Sequence, residues 1–376
     1  MKVARHDSRV TSHPFARQWR ALLAAACLGL LPGCANLTYY MQSVSGQLDI
    51  WRRERPIAEI LRDPAASDTL KRKLETVLEI RDYASRELAL PDNASYRQYA
   101  DLGRPYVVWN VFAADELSVQ PLQWCFFMVG CVSYRGYFAK DDAEAFAAET
   151  ARLGHDVYVG PVPAYSTLGY FTDPVLNTFL HYPDYELARL LFHELSHQVV
   201  YVRDDSVFNE SFAVTVEEEG IQRWLARTGD PKALAAFQRV QGIRAAFLEL
   251  VRKCRDELAA LYRSDLPADA KRVRKAEILA ALDEEYRRVK RDEWAGYAGY
   301  DQWFARKPNN AQLASVAIYS QKVPAFQELL RREGGDLPRF YRAAKELAAL
   351  PKEERETKLR ALAPDIIFRM LKEGQK

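Results

Sequence analysis

Apolar positions along the chain fall into three textures. Across residues 67–88, Leu70, Leu74, Val77 and Leu78 recur at helical intervals behind the capping candidates Ser67 and Asp68; the run stops before Pro91, which predicts a helix. Between about residues 104 and 175 the texture changes. Residues 106–112, 122–134 and 156–159 are rich in β-branched and aromatic side chains and read as strands, and the alanine- and glutamate-rich run 141–153 reads as a helix between them. From residue 184 onward helical spacing dominates. Leu187, Leu191, Leu195, Val199 and Val202 make one stripe over residues 185–202, and a second helix is predicted from 209 to 225, so that two helices occupy 185–226. Residues 232–262 and 268–294 carry apolar positions every three or four residues and are parted by Asp265-Leu266-Pro267, which predicts a long antiparallel helical hairpin over 232–294, as a lid or a side wall. More helices are expected over 310–319, 324–332 and 336–350, within a C-terminal part spanning 309–376. The class that follows is α+β, predominantly α-helical, with a small β-sheet.

The 376 residues suffice for a substantial core. A net charge of +2, spread over interleaved acids and bases, points away from nucleic acid as a partner. The basic runs 271–275 and 287–291 alternate with Glu277, Asp283, Glu284, Glu285 and Asp292, the pattern of a solvated helix face. At the N-terminus, Arg5, Arg9, Arg17 and Arg20 precede an apolar run, 21–31, that is too short for a permanent membrane span. The run ends at Leu31-Pro32-Gly33-Cys34, which resembles a bacterial lipobox. The expectation is a signal peptide over 1–33, lipidation at Cys34, and a body over 34–376 that faces the periplasm from the cell envelope. By the same resemblance, Ala35 rather than Asp after the cysteine favours the outer membrane. The competing reading is an ordinary signal peptide with an incidental cysteine. Export implies an oxidising compartment, where Cys125 and Cys131, within one strand-like segment, are candidates for a local disulfide. Cys254 keeps register with Phe247, Leu250, Leu258 and Leu261 and is expected to be buried.

The chemistry is concentrated in His193-Glu194-Leu195-Ser196-His197. Residues four apart on a helix share a face, so both imidazoles can reach one ion while Glu194 points into the adjoining space. Neutral imidazole suits zinc, and a catalytic zinc takes three protein ligands and leaves a fourth position open. Glu210, at the start of the next helix, is the candidate third ligand for one zinc per chain. Glu217 lies two turns further on the same face, where it can orient a ligand histidine; an exposed acidic face of Glu217, Glu218 and Glu219 is the rival explanation. In the simpler alternative, His193 and His197 are core histidines.

His193-Glu194-x-x-His197 followed by Asn209-Glu210-Ser211-Phe212-Ala213 and Glu217 resembles the gluzincin metallopeptidases. Over nearly all of the body the chain is similar to bacterial lipoproteins described as zinc aminopeptidases. The matching pieces are Tyr40-Met41-Gln42 with Gly46-Gln47, Val108-Trp109-Asn110, Tyr134-Arg135-Gly136-Tyr137-Phe138, Tyr165-Ser166-Thr167-Leu168-Gly169 and Asn309-Asn310-Ala311. The resemblance implies a zincin-like fold, a peptide substrate and hydrolysis of peptide bonds, with Glu194 as the general base. Two departures stand out. The twelve residues between His197 and Glu210 are a shorter separation than in the better-known gluzincins, and the G-x-M-E-N segment that holds a substrate's free amine is missing. Exopeptidase specificity is therefore less secure than the metal site, and a zinc endopeptidase on periplasmic or cell-wall peptides and a non-catalytic zinc scaffold are the alternatives. An oxyanion needs a second electrophile, for which Tyr319, one of 20 tyrosines, is the candidate. Residues 165–171 read either as an edge strand for a peptide, with Asp173 near its amine, or, since Pro161 and Pro163 precede them, as a plain connecting loop. The sequence carries nothing on oligomeric state.

Overall fold

The computed structural model describes residues 31–126, 130–164, 166–229 and 231–363, with side chains from residue 39 onward. The expected signal segment before residue 31 and the side chain of Cys34 lie outside the described residues. No described helix is long and apolar enough to cross a membrane. The chain divides into two units, residues 1–49 and 50–376. Helix α1 (Leu31–Arg53) supplies the described part of the first; the rest of the description concerns the second.

Helices hold most of the second unit. The first stretch contains β1 (Arg55–Pro56), α2 (Ile57–Arg62), α3 (Asp68–Glu87) and β2 (Gln98–Ala100). The strand-rich stretch follows, with β3 (Val108–Asp115), β4 (Trp124–Phe126), β5 (Gly130–Val132), β6 (Arg135–Tyr137), α4 (Lys140–Arg152), β7 (His155–Val162), β8 (Val175–Leu176) and the single turn α5 (Asn177–Leu180). Then come α6 (Asp184–Ser196), α7 (Ser206–Thr228), α8 (Pro231–Arg263), α9 (Ala268–Asp292), α10 (Asp301–Ala305), α11 (Asn310–Ser320), α12 (Val323–Arg332), α13 (Leu337–Ala348) and α14 (Lys352–Leu362). Mostly helical with small sheets, this is the α+β arrangement that the texture implies.

One sheet has the order β6-β3-β7, with β3 antiparallel to both neighbours; another, β1-β2-β8, is mixed. Strand β3 is almost wholly buried because α4 and α11 pack against it. The hairpin β4–β5 brings Cys125 and Cys131 opposite each other, and they form a disulfide. Its second strand rests on the turn between α6 and α7, where the Cys131 N–H donates to the Asp204 carboxylate. Gly130 permits this seat: its φ is +78°, and a Cβ there would run into the side chains of Arg203 and Asp204.

The main core forms around α6 and α7. Leu187, Leu191, Phe192 and Leu195 from α6, and Phe208, Phe212, Val216 and Ile221 from α7, are all fully buried. Phe340 of α13 stacks on Phe212 at 5.5 Å between centroids, and Phe326 of α12 meets Phe208 edge-on at 5.0 Å. Gly220 lets α7 approach closely: a Cβ there would lie 2.7 Å from Phe192 Cδ2 and 2.8 Å from Leu88 Cδ1. Both neighbours are fully buried and have nowhere to retreat. Gly220→Ala is expected to lower unfolding stability by about 1–3 kcal/mol, an overpacking cost larger than the gain from alanine's better helix propensity. Chemical denaturation would measure it, and a variant as stable as the parent would show that the contact yields.

Helices α8 and α9 are packed antiparallel, with a second core between them and α10; Phe247 stacks on Tyr300 and Tyr286 on Phe304, both at 3.8 Å. The pair is fastened to the sheet and to α11. Lys275 Nζ lies 2.6 Å from Asp156 Oδ2, and the Tyr262 hydroxyl donates to Asn310 Oδ1 at 2.9 Å.

Two local expectations change. The apolar stripe predicted helix to residue 202, but α6 stops at Ser196 with His197 as its C-cap. Both main-chain groups of Val202 are taken by the Asn209 side chain, at 2.7 and 2.8 Å, which turns the chain while the valines still face the core. Of the two readings of residues 165–171, the loop holds for 166–171. Thr167 N–H donates to Asp173 Oδ1 at 3.0 Å and Thr167 Oγ1 to the Phe171 carbonyl at 3.0 Å, so local side-chain bonds replace strand pairing.

Candidate metal centre

Three side chains from α6, its cap and α7 converge. His193 Nε2 lies 3.2 Å from Glu210 Oε2, and His197 Nε2 lies 3.8 Å from the same oxygen. Their centroids are 4.9 Å apart with the rings nearly perpendicular, and the three would-be ligand atoms all fall within 4.8 Å of one another. Such a group can hold a metal ion. Among the described residues no other set of three or more His, Cys, Asp or Glu side chains converges in this way.

The turn that joins the two elements is built with little slack. Asp205 caps α7, its Oδ1 accepting from the Phe208 N–H at 3.1 Å, and Asn209 clips Val202 as described. Gln198, next to His197, accepts from Asn93 Nδ2 at 2.7 Å and donates to Ser95 Oγ at 3.2 Å and Asp173 Oδ2 at 3.4 Å. Asp173 also accepts from Ser166 Oγ and the Thr167 N–H, so its oxygens hold this loop together.

Glu217 sits behind His193. Its Oε2 is 2.8 Å from His193 Nδ1, and its Oε1 accepts from Nη1 of Arg189 at 2.8 Å and Nη1 of Arg244 at 2.9 Å. At 2% exposure it belongs to the interior, which removes the exposed acidic face as an explanation of this residue. With Nδ1–H donating to a carboxylate, the Nε2 atom of His193 is the one turned toward Glu210.

The electrostatics reflect crowding. Burial alone would lower His193, but the Glu210 and Glu217 carboxylates beside it outweigh that and push it up to about 10. Burial pushes His197 down to about 4. Burial also lifts Glu194 to about 8, against the pull of His193. Glu210 is held low despite burial by the two imidazoles, and Glu217 is held well below the usual carboxylate range by Arg189, His193 and Arg244. Glu210 Oε2 makes no hydrogen bond although it is buried and 3.2 Å from an imidazole nitrogen. It lies within 3.8 Å of the Nε2 atoms of both rings.

Tyr319 is half-buried on α11, which packs on α7. Burial raises its phenol well above the ordinary value and the charges of Glu210 and Glu194 add to this, so the hydroxyl stands in the field of the same carboxylates. Tyr201, which sequence reasoning passed over, is pushed up to about 12 by burial and by Glu210. Arg189 and Arg244 were also unanticipated, because each meets Glu217 from a different helix and no spacing in the sequence marks the contact.

No curated protein and no solved structure matches this chain. A family match, by contrast, runs over residues 38–359 and so includes every side chain of the centre. The chain belongs to the family described as "Putative aminopeptidase".

Proposed function

We propose that the chain is a zinc-dependent, zincin-like metallopeptidase, with His193, His197 and Glu210 as ligands to one zinc, Glu194 as the general base, and Glu217 as the carboxylate that orients His193. The observation that carries this reading is the meeting of His193, His197 and Glu210 around a common point. Two imidazoles and a carboxylate form a donor set used at catalytic zinc sites, and zinc bonds of about 2.0–2.1 Å put tetrahedral ligand atoms roughly 3.3 Å apart. The separations of 3.2 and 3.8 Å fit that spacing. The Glu210 oxygen, buried and without a hydrogen bond, fits it as well.

A zinc ion held there supplies Lewis acidity toward a water and a peptide carbonyl. Glu194, nine-tenths buried beside the ligands and kept ionised by the charge of a zinc ion bound there against the upward pull of burial, would accept the water's proton as the water oxygen bonds to the carbonyl carbon. It returns that proton to the nitrogen as the C–N bond breaks, leaving a free amine and a carboxylic acid that then releases the second proton of the water to become a carboxylate. Tyr319 stays protonated at neutral pH and donates toward the carbonyl oxygen as that atom gains charge. Burial of the base excludes bulk water, so the proton is not lost to solvent.

Family membership supports aminopeptidase action on a peptide substrate. Absence of a G-x-M-E-N segment favours keeping endopeptidase action as the second reading. A scaffold with a purely structural zinc has no use for Glu194 and would close the fourth position with another ligand. We further propose, from the lipobox-like Leu31-Pro32-Gly33-Cys34, a lipid-anchored protein facing the periplasm, with the outer membrane favoured. Aminoacyl reporters and N-blocked peptides, each assayed with the zinc-loaded protein, separate the two peptidase readings. Cleavage of the reporters alone is the expected result; cleavage of blocked peptides alone would shift the assignment to an endopeptidase, and one zinc with no hydrolysis of either would leave the scaffold.

A further inference from the structure

The helical pair α8–α9 takes no part in the chemistry above, yet one of its side chains reaches the centre. Arg244 of α8 donates from Nη1 to Glu217 Oε1 at 2.9 Å, and the same oxygen accepts from Arg189 of α6 at 2.8 Å. The other oxygen of Glu217 faces His193 Nδ1 at 2.8 Å. Glu217 is 2% exposed, so these contacts are made in the protein interior, where a carboxylate with too few cations around it is costly.

We propose that Arg244 is a positioning residue: through Glu217 it fixes the ring of His193, so that the seating of the α8–α9 pair helps set the affinity of the centre for zinc. This rests on the zinc reading above. Arg189 belongs to the same helix as His193 and moves with it, so its bond alone cannot hold Glu217 against an outside reference. Arg244 comes from a different helix and supplies that reference. Its own helix is not a loose arm, because the far end of the pair is pinned by Lys275 to Asp156 and by Tyr262 to Asn310. Glu217 is thus held from both sides, and His193 with it. Groups standing behind ligand histidines typically change metal affinity by 10–100-fold when removed.

Zinc dissociation constants, read by competition with a chromophoric chelator, test the proposal on wild type, Arg244→Met and Arg244→Lys, alongside thermal unfolding of the metal-free proteins. Arg244→Met is expected to bind one zinc about tenfold more weakly. Arg244→Lys, which can still donate one charged hydrogen bond, is expected to recover most of the loss. A residue that merely helps α8 pack would lower the metal-free unfolding temperature and leave zinc affinity at temperatures where the protein is folded unchanged. Should Arg244→Met fail to fold, Arg244→Gln removes the charge with less disturbance and is read in the same way. Zinc affinity within about twofold of wild type in the charge-removing variant overturns the proposal while leaving the zinc reading intact; a wild-type chain that binds no zinc overturns both.

Discussion

Glu194→Gln is expected to retain one zinc per chain and to lose peptide hydrolysis by roughly a thousandfold, within the span that a general base contributes. Glutamine matches glutamate in shape, so packing beside the ligands is conserved, but its amide cannot take the water's proton. The residue is buried, and burial already lifts its carboxyl to about 8, so an uncharged replacement relieves the interior rather than straining it. The unfolding temperature should therefore hold or rise. Metal analysis, single-substrate kinetics and thermal unfolding on the same preparation make the test. Full activity in the variant would falsify the role given to Glu194, whereas loss of zinc would move Glu194 into the ligand set.

The largest stability effect is expected at the turn between the ligand helices. Arg355 donates from Nε and Nη2 to Asp205 Oδ2 at 3.1 and 2.9 Å, with both side chains about 95% buried, and its guanidinium lies over the Phe208 ring. Lys322 adds a second cation at 3.3 Å from Oδ1. Removing one partner from a buried pair costs about 3–5 kcal/mol, because the other charge remains without compensation. Lys322 still faces Asp205 after Arg355→Met, so that variant should lose about 3 kcal/mol in chemical denaturation, the lower end of that range, while Asp205→Asn with Arg355→Met together should lose less than the sum of the two. Additive losses would show that the pair is not coupled. The pH dependence has a defined sign. Burial alone would raise Asp205, but Lys322, the Phe208 N–H and Arg355 outweigh it and hold the carboxyl below 3.8. A depressed folded-state pKa gives stability that is complete above about 3.9, the unfolded value, and is lost as pH falls through the lower folded one. The asparagine variant should lack this acid limb.

What the sequence made legible follows from distance along the chain. His193 and His197 are one helical turn apart, and Glu210 lies near the start of the next helix after a short turn, so helical geometry sets the three on facing surfaces. Glu217 was readable by the same periodicity, two turns beyond Glu210. Arg244 lies 27 residues from Glu217 and Arg355 lies 150 from Asp205; pairs of that kind obey no period, and surface arginines on amphipathic helices look identical to them in one dimension. The stop of α6 at Ser196 was hidden for a different reason. Val199, Val200 and Val202 keep facing the core after the helix has ended, so the apolar stripe outlasts the structure it usually marks. Residues 166–171 read as a strand or a loop because their bonds run between side chain and main chain within a few residues, which hydropathy does not register.

The Asp205–Arg355 pair also bears on the order in which the turn is completed. All three proposed ligands and their turn lie well over a hundred residues ahead of Arg355 in the chain. Packing of α6 against α7 can therefore precede the arrival of the guanidinium, and a carboxylate in that state seeks water rather than the interior. The turn acquires its final set of countercharges only when α14 docks.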